Sequence, residues 1–184
     1  MEDIIKADLF RYGGLKGIKG YVKGMFIPGF RFMFFLRKAA MYRKYSPLGV
    51  FFRLLVRRYT FKYGYQISVN TKIGAGFYIG HFGNVVINNR TIIGKNCNIS
   101  QGVTIGQAYR GKLSGTPIIG DKVWIGANAV LVGNIIIGSN VLIAPGSYVN
   151  FDVPADSIVI GNRCRIIEER KEATDEYICN IMDS

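Results

Sequence analysis

The most constraining feature of the sequence is an aliphatic side chain that returns every six residues over most of positions 67–149. A small residue, most often glycine, usually follows it. This period fits neither an α-helix nor the alternation of a long strand, but it suits a short strand, a corner and another short strand. Three such units make one coil, so the pattern predicts stacked coils with the aliphatic column inside. The column comprises Ile67, Ile73, Ile79, Ile87, Ile93, Ile99, Ile105, Ile119, Ile125, Leu131, Ile137, Ile143 and Val149.

A second series of positions is predicted to face inward beside this column. Its members lie four places after an aliphatic residue and are often small. The two series together predict a mainly β fold, a parallel β-helix of six-residue repeats. The second series comprises Thr71, Gly83, Thr91, Cys97, Val103, Val123, Ala129, Ile135, Val141 and Ser147.

The six-residue frame breaks twice. Ile79 and Ile87 are eight residues apart, and the chain's only histidine, His81, lies between them. Ile105 and Ile119 are fourteen residues apart, which predicts an extended loop over 106–118. Insertions in repeat proteins map to loops, and loops often carry function, so His81 and this loop are the first candidates for a site.

The N-terminal third differs in character from the repeat region. Residues 1–65 hold 14 Lys and Arg against three acidic residues, whereas 66–184 hold 10 against nine. We predict a basic helical region over 1–65, a β-helix domain over 66–154 and a C-terminal segment over 155–184. One helix is expected to follow Ser46 and Pro47, which suit its N-cap and first turn. Its apolar side is predicted to carry Leu48, Phe51, Phe52, Leu55, Val56 and Tyr59.

This basic helical region admits three interpretations. It can be a cap that covers the open end of the β-helix, with its Arg residues on the wet side. It can also be an amphipathic surface that meets anionic lipid, and the two roles are compatible. Nucleic acid binding is disfavoured, because no recognised binding motif accompanies the charge.

Cysteine content and the N-terminus bear on the compartment. The three cysteines, Cys97, Cys164 and Cys179, are odd in number and show neither metal-ligand spacing nor a disulfide framework, so no metal site is predicted. Two acidic residues follow Met1, which does not resemble a secretory signal. We expect a cytoplasmic protein that, if the basic region meets lipid, lies at the inner face of the membrane.

Three segments resemble a known family. They are IGHFGNVVI at 79–87, QGVTIG at 101–106 and IGANA at 125–129. With the six-residue period, they resemble the serine acetyltransferase branch of the hexapeptide-repeat transferases over about residues 66–167. The resemblance implies a left-handed parallel β-helix, a homotrimer, and acetyl-CoA as co-substrate in the groove between neighbouring subunits.

The resemblance also implies the chemistry of the site. An acceptor hydroxyl attacks the thioester directly, and His81 takes its proton as general base, facing the 106–118 loop of a neighbouring subunit or its own. Imidazole suits this role because it exchanges a proton near neutral pH, although a lone histidine is often structural. Gln66 stands where the family has an aspartate that orients the histidine. An amide can hydrogen-bond there but cannot stabilise an imidazolium by charge.

The positions expected to bind the co-substrate also follow from the resemblance. Gly106, Gly126 and Ala127 match backbone positions that line the pantetheine groove, and N–H groups near Gly106 are expected to stabilise the oxyanion. Arg163 and Arg165 lie in a segment that resembles the family's Gly-Asn-Pro-Ala-Arg/Lys run. Arg165 is expected to meet a phosphate of CoA. A solvated turn is the alternative interpretation of both arginines.

Three departures from the family pattern bear on the acceptor. Gly80, Gly115 and Thr116 replace residues that grip the charged groups of free serine. Their absence favours a neutral saccharide hydroxyl, as in the acetyltransferases of capsule and exopolysaccharide synthesis, with Asn84, Gln107, Tyr109 and Thr116 as acceptor contacts. A serine O-acetyltransferase is the first alternative. A non-catalytic β-helix that serves as a scaffold or lipid-surface module is the second.

Overall fold

A computed structural model describes residues 2–182; Met1, Asp183 and Ser184 lie outside the described residues. Four helices are followed by a parallel β-helix of about five coils. The hand of the β-helix is left, as the resemblance implied. Its three sheets form the faces of a triangular prism, and successive strands along the chain move from one face to the next.

The helices begin and end where the sequence provides capping residues. Pro28 and Pro47 open the third and fourth helices, where a missing N–H costs no hydrogen bond. The Ser46 hydroxyl accepts a hydrogen bond from the Gly49 N–H at 3.1 Å, which confirms the predicted N-cap. Gly64 ends the fourth helix in the left-handed region, at φ 78°. The helices are α1 (Glu2–Phe10), α2 (Gly17–Gly24), α3 (Pro28–Met41) and α4 (Pro47–Tyr63).

The strands are two to four residues long, because each face of the prism is one repeat wide. Sheet A contains β1 (Tyr65–Ile67), β4 (Val85–Ile87), β7 (Thr104–Gly106), β10 (Val130–Val132) and β13 (Tyr148–Val149). Sheet B contains β2 (Lys72–Ile73), β5 (Ile92–Ile93), β8 (Ile118–Ile119) and β11 (Ile136–Ile137). Sheet C contains β3 (Tyr78–Ile79), β6 (Asn98–Ile99), β9 (Trp124–Ile125), β12 (Val141–Ile143), β14 (Ser157–Ile160) and β15 (Arg165–Ile167).

The interior of the prism is the predicted aliphatic column. All thirteen of its members are buried, which confirms the six-residue pattern. The second inward series is also buried, with one exception: Gly83 is half-buried at a corner, and Val85 occupies the interior position. In a regular repeat the second inward residue lies four places after one aliphatic residue and two places before the next. The two extra residues between Ile79 and Ile87 belong to the corner, so only the count back from Ile87 holds, and it leads to Val85.

The C-terminal segment extends the β-helix further than predicted. β14 pairs in parallel with β12, so the fifth coil runs to Ile160 and not to the expected boundary at 154. β15 then pairs with β14 in the antiparallel direction. The remaining residues cross the outer face of sheet C, where Tyr177 packs on Trp124 at 4.8 Å between ring centroids.

A buried arginine joins three parts of the chain. The Arg11 guanidinium, at the end of α1, donates to the carbonyls of Gly76 at 2.7 Å and Cys179 at 2.8 Å and to the Asn98 side chain at 2.6 Å. These acceptors belong to the first coil, the C-terminal segment and β6. Sheet C is therefore covered, whereas the outer faces of sheets A and B remain open on the single chain.

The helices cover the open end of the first coil. Phe32 of α3 packs edge-on against Tyr65 of β1, with ring centroids 5.1 Å apart. The side of α4 that packs inward carries Val56 and Tyr63, both buried. The apolar side predicted for α4 was wrong in part, because Leu48 and Phe51 are 51% and 53% exposed.

An ion pair fastens this cap. Asp8 of α1 is buried and accepts from the Arg37 Nε at 2.9 Å and from the Phe77 N–H at 2.9 Å. Arg37 also donates to the carbonyls of Ile73 and Gly74, each at 2.6 Å. Burial raises the pKa of Asp8, and the Arg37 guanidinium opposes that shift. The pair thus ties α1 and α3 to the first coil.

We expect Arg37→Ala to lower the free energy of unfolding by roughly 3–5 kcal/mol, because the Asp8 carboxylate stays buried without its cation. Urea unfolding followed by circular dichroism measures this loss. Without Arg37 the pKa of Asp8 rises further above its unfolded value, so the loss shrinks as pH falls and Asp8 takes up a proton. The control is Asp3→Ala, which removes an exposed pair with Lys6 and should cost about 0–1 kcal/mol. Equal losses in both variants would contradict the anchoring role of the buried pair.

Candidate functional site

His81 lies at the edge of the prism where the chain passes from sheet C to sheet A. It follows β3 directly, and residues 80–84 form a corner longer than the regular one. The side chains of His81 and its neighbour Phe82 are exposed. No hydrogen bond engages the imidazole within the described part of the chain. The imidazole is therefore available to a bound molecule or a second copy of the chain.

The backbone of this corner is firmly held on both sides. The Gly83 N–H donates to the Tyr63 carbonyl at 2.9 Å, and the Gly102 N–H donates to the Asn84 carbonyl at 2.6 Å. The Tyr65 hydroxyl donates to the His81 carbonyl at 3.2 Å. The corner thus lies between the end of α4 and the next corner of the β-helix. These bonds fix the backbone of His81, so its position does not depend on hydrogen bonds made by the imidazole.

By the family resemblance, Gln66 occupies the position of the aspartate that orients the histidine. Gln66 lies in β1 with its side chain on the outer face of sheet A, and it is exposed. Among residues 2–182 no hydrogen bond joins it to His81. Asn84, a predicted acceptor contact, is exposed in the same corner, with its side-chain oxygen beside Gly64.

The predicted loop over 106–118 is a compact hairpin at a different edge, between sheets A and B. Ala108 and Gly115 exchange two backbone hydrogen bonds of 3.0 Å, which close the hairpin. The Leu113 carbonyl accepts from the Asn134 N–H at 2.9 Å, so the hairpin rests on the next coil. Tyr109 at its tip is 80% exposed. The two other predicted acceptor contacts, Gln107 and Thr116, are half-buried near its base.

These positions set a constraint on any site that uses both elements. His81 and the hairpin flank sheet A on opposite sides of the same prism face. Gly106, at the base of the hairpin, belongs to the hairpin edge as well. The single chain therefore does not bring the predicted base together with Gln107, Tyr109 and Thr116.

The edge that carries His81 continues along the whole β-helix. Going up the coils, its corners are formed by residues 80–84, 101–102, 126–128, 144–147 and 161–164. The predicted co-substrate residues Gly126 and Ala127 belong to this edge, and so does Arg163 at its far end. Adjacent coils lie about 4.8 Å apart, so His81 and Arg163 are separated by roughly 20 Å along the edge. We call this line of corners the His81 edge.

The far end of the His81 edge contains a cavity. It has a volume of about 410 Å³ and extends over the end of sheet A. Asn162, Arg163 and Cys164 line it from the His81 edge, and Tyr148, Asn150 and Phe151 line it from β13 and the segment after that strand. Arg163 and Arg165 are both exposed, and Arg165 lies in β15. An exposed guanidinium beside an open cavity can bind a phosphate.

Two residues beside His81 were not predicted as site residues. Tyr65 is buried, with its hydroxyl on the His81 carbonyl, and burial raises its pKa. The side-chain oxygen of Gln101 is buried next to Gly83 and has no partner within the described residues. Gln101 begins the QGVTIG segment, but no sequence signal showed that its oxygen would be left without a donor. Among residues 2–182 no cluster of three or more His, Cys, Asp or Glu side chains is placed to hold a metal ion.

Comparison with known proteins identifies relatives of this architecture. The family model described as bacterial transferase hexapeptide (six repeats) matches residues 116–150. A serine acetyltransferase of Synechococcus elongatus is 40% identical over 142 residues, which cover 76% of this chain and 57% of the relative. The putative colanic acid biosynthesis acetyltransferase WcaB of Escherichia coli K12 is 36% identical over 121 residues, covering 66% of this chain and 72% of WcaB.

Solved structures agree with these relatives. The serine acetyltransferase of Neisseria gonorrhoeae superimposes with a TM-score of 0.74 and 29% identity, covering 96% of this chain and 69% of that protein. This chain spans between 30% and 57% of the length of the serine acetyltransferases of Synechococcus elongatus and Arabidopsis thaliana that it matches.

Proposed function

We propose that this chain, which belongs to the serine acetyltransferase-like branch of the hexapeptide-repeat acetyltransferases, transfers an acetyl group from acetyl-CoA to a hydroxyl group with His81 as general base. The observation that carries the proposal is the His81 corner. It interrupts an otherwise regular β-helix, its backbone is fixed by Tyr63, Tyr65 and Gly102, and its imidazole is exposed and unpaired within the described residues.

The proposed reaction is a direct transfer. His81 takes the proton of the acceptor hydroxyl while that oxygen attacks the thioester carbonyl carbon. The carbon–sulfur bond then breaks, and the CoA thiolate takes the proton back from the imidazolium as CoA leaves. No covalent link to the enzyme is needed. Cys97 is unsuited to such a link, because it is buried in the core and burial raises the pKa of its thiol to about 12.

We propose a homotrimer, because the site uses two elements that one chain holds apart. If the His81 edge of each subunit meets the hairpin edge of the next, a closed ring of three turns sheet A of every subunit towards the axis. The neighbour then supplies Gly106 and the hairpin to His81. The outer face of sheet A suits this place, since it carries no charged side chain: Gln66, Val86, Thr104, Val130 and Tyr148.

The co-substrate is proposed to lie along the His81 edge. Its thioester would be at His81, its pantetheine arm would pass Gly126 and Ala127, and its phosphates would reach Arg163. The cavity of about 410 Å³ at Arg163 supports this fit. Arg165, on the neighbouring strand β15, is exposed and adds positive charge there.

Two acceptor classes remain, and different observations favour them. The Synechococcus elongatus relative and the superimposed structure are serine acetyltransferases, which favours L-serine. The match to WcaB favours a saccharide. The uncharged residues Gly80, Gly115 and Thr116 also favour a saccharide, because a zwitterion needs charged partners. On balance, the comparisons support serine somewhat better than the saccharide that the sequence alone predicted.

The experiment that separates these acceptors measures release of free CoA thiol from acetyl-CoA. L-serine is compared with a panel of free sugars and nucleotide sugars, and the acetylated product is identified by mass spectrometry. Turnover with serine alone would make the chain a serine O-acetyltransferase, and turnover with sugars alone would support the saccharide class. Failure to bind acetyl-CoA at all would overturn the proposal in favour of a non-catalytic β-helix.

The proposed phosphate contact gives a second test. We expect Arg163→Gln to raise the KM for acetyl-CoA roughly two- to fivefold with little change in kcat, since an exposed ion pair contributes modestly. Steady-state kinetics at saturating acceptor measure both constants. Lys171→Gln removes an exposed charge elsewhere and serves as the control. An unchanged KM in Arg163→Gln would show that the phosphates bind elsewhere.

A further inference from the structure

The N-terminal helices carry an unusual distribution of charge. No Asp or Glu occurs between Asp8 and Asp121, whereas residues 9–65 contain 13 Lys and Arg. Asp8 itself is buried against Arg37 and does not offset charge at the surface. Arg11 and Arg37 are buried or paired and add little to the surface charge. The outer surfaces of α2 and α4, which expose Lys19, Lys23, Arg57, Arg58 and Lys62, are positive and have no acidic side chain of their own.

An apolar stripe runs along the outer side of α4, amid this charge. Val50, Leu54 and Phe61 lie on one side of the helix and are 43%, 60% and 77% exposed. Arg57 belongs to the same stripe, with its guanidinium 5.9 Å from the centre of the Phe61 ring, and Arg58 borders it. The inward side of α4 packs on α3 and the first coil, so this stripe is a second apolar surface that the fold does not use.

The outer side of α2 repeats the pattern. Ile18 and Val22 are one helical turn apart and are 85% and 58% exposed. Phe26, just after the helix, is 77% exposed. Lys19 and Lys23 lie beside them and are exposed as well. The inward side of α2 is fixed by contacts of Tyr21 with the rings of Phe30 and Phe34.

We propose that these two stripes dock on an anionic phospholipid surface. Apolar side chains on a basic amphipathic helix enter the boundary between headgroups and acyl chains, while the neighbouring Lys and Arg meet lipid phosphates. A nucleic acid would match the charge but would leave the aliphatic residues Ile18, Val22 and Leu54 in water. A second copy of the same face would bring like charges together.

Docking through these two stripes would hold the protein at the surface of the membrane. No helix within residues 2–182 is long and apolar enough to cross a bilayer. The docking face belongs to the helices that cover the first coil, and His81 lies in the corner that ends this coil. Attachment there would place the active site close to the lipid surface, within reach of acceptors presented at it.

Flotation with vesicles tests this proposal without acetyl-CoA or acceptor, so its outcome is independent of the acetyltransferase activity. The purified chain is mixed with vesicles of phosphatidylcholine alone, or with equal parts of phosphatidylglycerol and phosphatidylcholine, at physiological ionic strength. We expect the chain to float with the anionic vesicles and to stay behind with the neutral ones. Binding should fall as salt is raised.

Two double variants separate the contributions of charge and apolar surface. Arg57→Gln with Arg58→Gln, and Leu54→Gln with Phe61→Gln, should each weaken the partition coefficient roughly tenfold or more. All four side chains are exposed, so circular dichroism should show an unchanged fold. Matched controls elsewhere are Arg170→Gln with Lys171→Gln and Ile118→Gln with Ile136→Gln, and both should bind like the unmodified chain.

Three outcomes would overturn the proposal. The first is no flotation with anionic vesicles at physiological ionic strength. The second is equal loss of binding in the control variants, which would indicate general charge or stickiness rather than this face. The third is a concentration-dependent assembly, seen by analytical ultracentrifugation and lost in the Leu54→Gln and Phe61→Gln variant, which would show that a second copy covers the face.

Discussion

His81→Ala is expected to lower turnover of acetyl-CoA with its acceptor by roughly 10²–10⁴-fold, the usual contribution of a general base. The structural reason is that the long corner is held through its backbone, at His81, Gly83 and Asn84, so that removal of the imidazole leaves its support in place. Release of CoA thiol under steady-state conditions measures the loss. Thermal unfolding should be unchanged, because the removed ring is exposed and makes no hydrogen bond within residues 2–182.

Lys72→Ala provides the control for this prediction. Lys72 is exposed on the outer face of sheet B, away from the His81 edge, and its removal should leave turnover as it was. An unchanged turnover rate in His81→Ala would show that His81 is not the general base of the proposed reaction. A chain that loses rate because it unfolds would show itself in the thermal transition.

Val86→Lys is expected to break the trimer and, with it, the activity. Val86 lies in the middle of the outer face of sheet A, paired with Gln66 on one side and Thr104 on the other. In the proposed ring, three lysines would meet near the axis with no acidic partner, and like charges in a desolvated contact repel strongly. Sedimentation should show a folded monomer. Turnover should fall at least roughly 10²-fold, because the hairpin no longer reaches His81.

Ile136→Lys is the matched control for the assembly. It makes the same kind of change on the outer face of sheet B, where Ile136 is 57% exposed. The assembly and the rate should persist in this variant. A trimeric and active Val86→Lys chain would contradict the placement of sheet A at the axis, and a monomeric Ile136→Lys chain would move the interface to sheet B.

Much of the fold was predictable because each coil repeats one physical requirement. Every six residues one side chain must point into a narrow interior, so all thirteen aliphatic positions could be assigned from their spacing alone. The register of a corner is different. A corner can take up two extra residues without moving the buried positions on either side of it. The spacing therefore could not show that Val85, and not Gly83, would fill the interior. The hand of the coil came from the family resemblance, because periodicity does not encode it.

The helical region was harder to predict because α4 is apolar on two sides. Counting apolar residues at helical spacing does not tell which side packs on the β-helix. The structure buries Val56 and Tyr63 and leaves Leu48 and Phe51 exposed. The buried pair of Asp8 and Arg37 was also beyond the sequence pattern, because the two residues belong to separate helices.

The candidate site was predictable in part, for the same reason as the fold. A break in a strict repeat is visible in the sequence, and it led to His81 and to the loop over 106–118. The spacing alone did not show on which face of the prism each strand lies. It therefore could not show that His81 and the loop lie on opposite edges of sheet A. The support from Tyr65 depends on one buried hydroxyl reaching across a coil, and nothing in the spacing marks it.

The most direct test of the proposed site is a crystal structure of the chain with CoA bound. We expect a trimer with the CoA sulfur within hydrogen-bonding reach of His81, its pantetheine arm along Gly126 and Ala127, and its phosphates near Arg163. The hairpin over 106–118 should come from the adjacent subunit. CoA bound along another edge of the prism, with its sulfur remote from His81, would contradict the proposed site and mechanism.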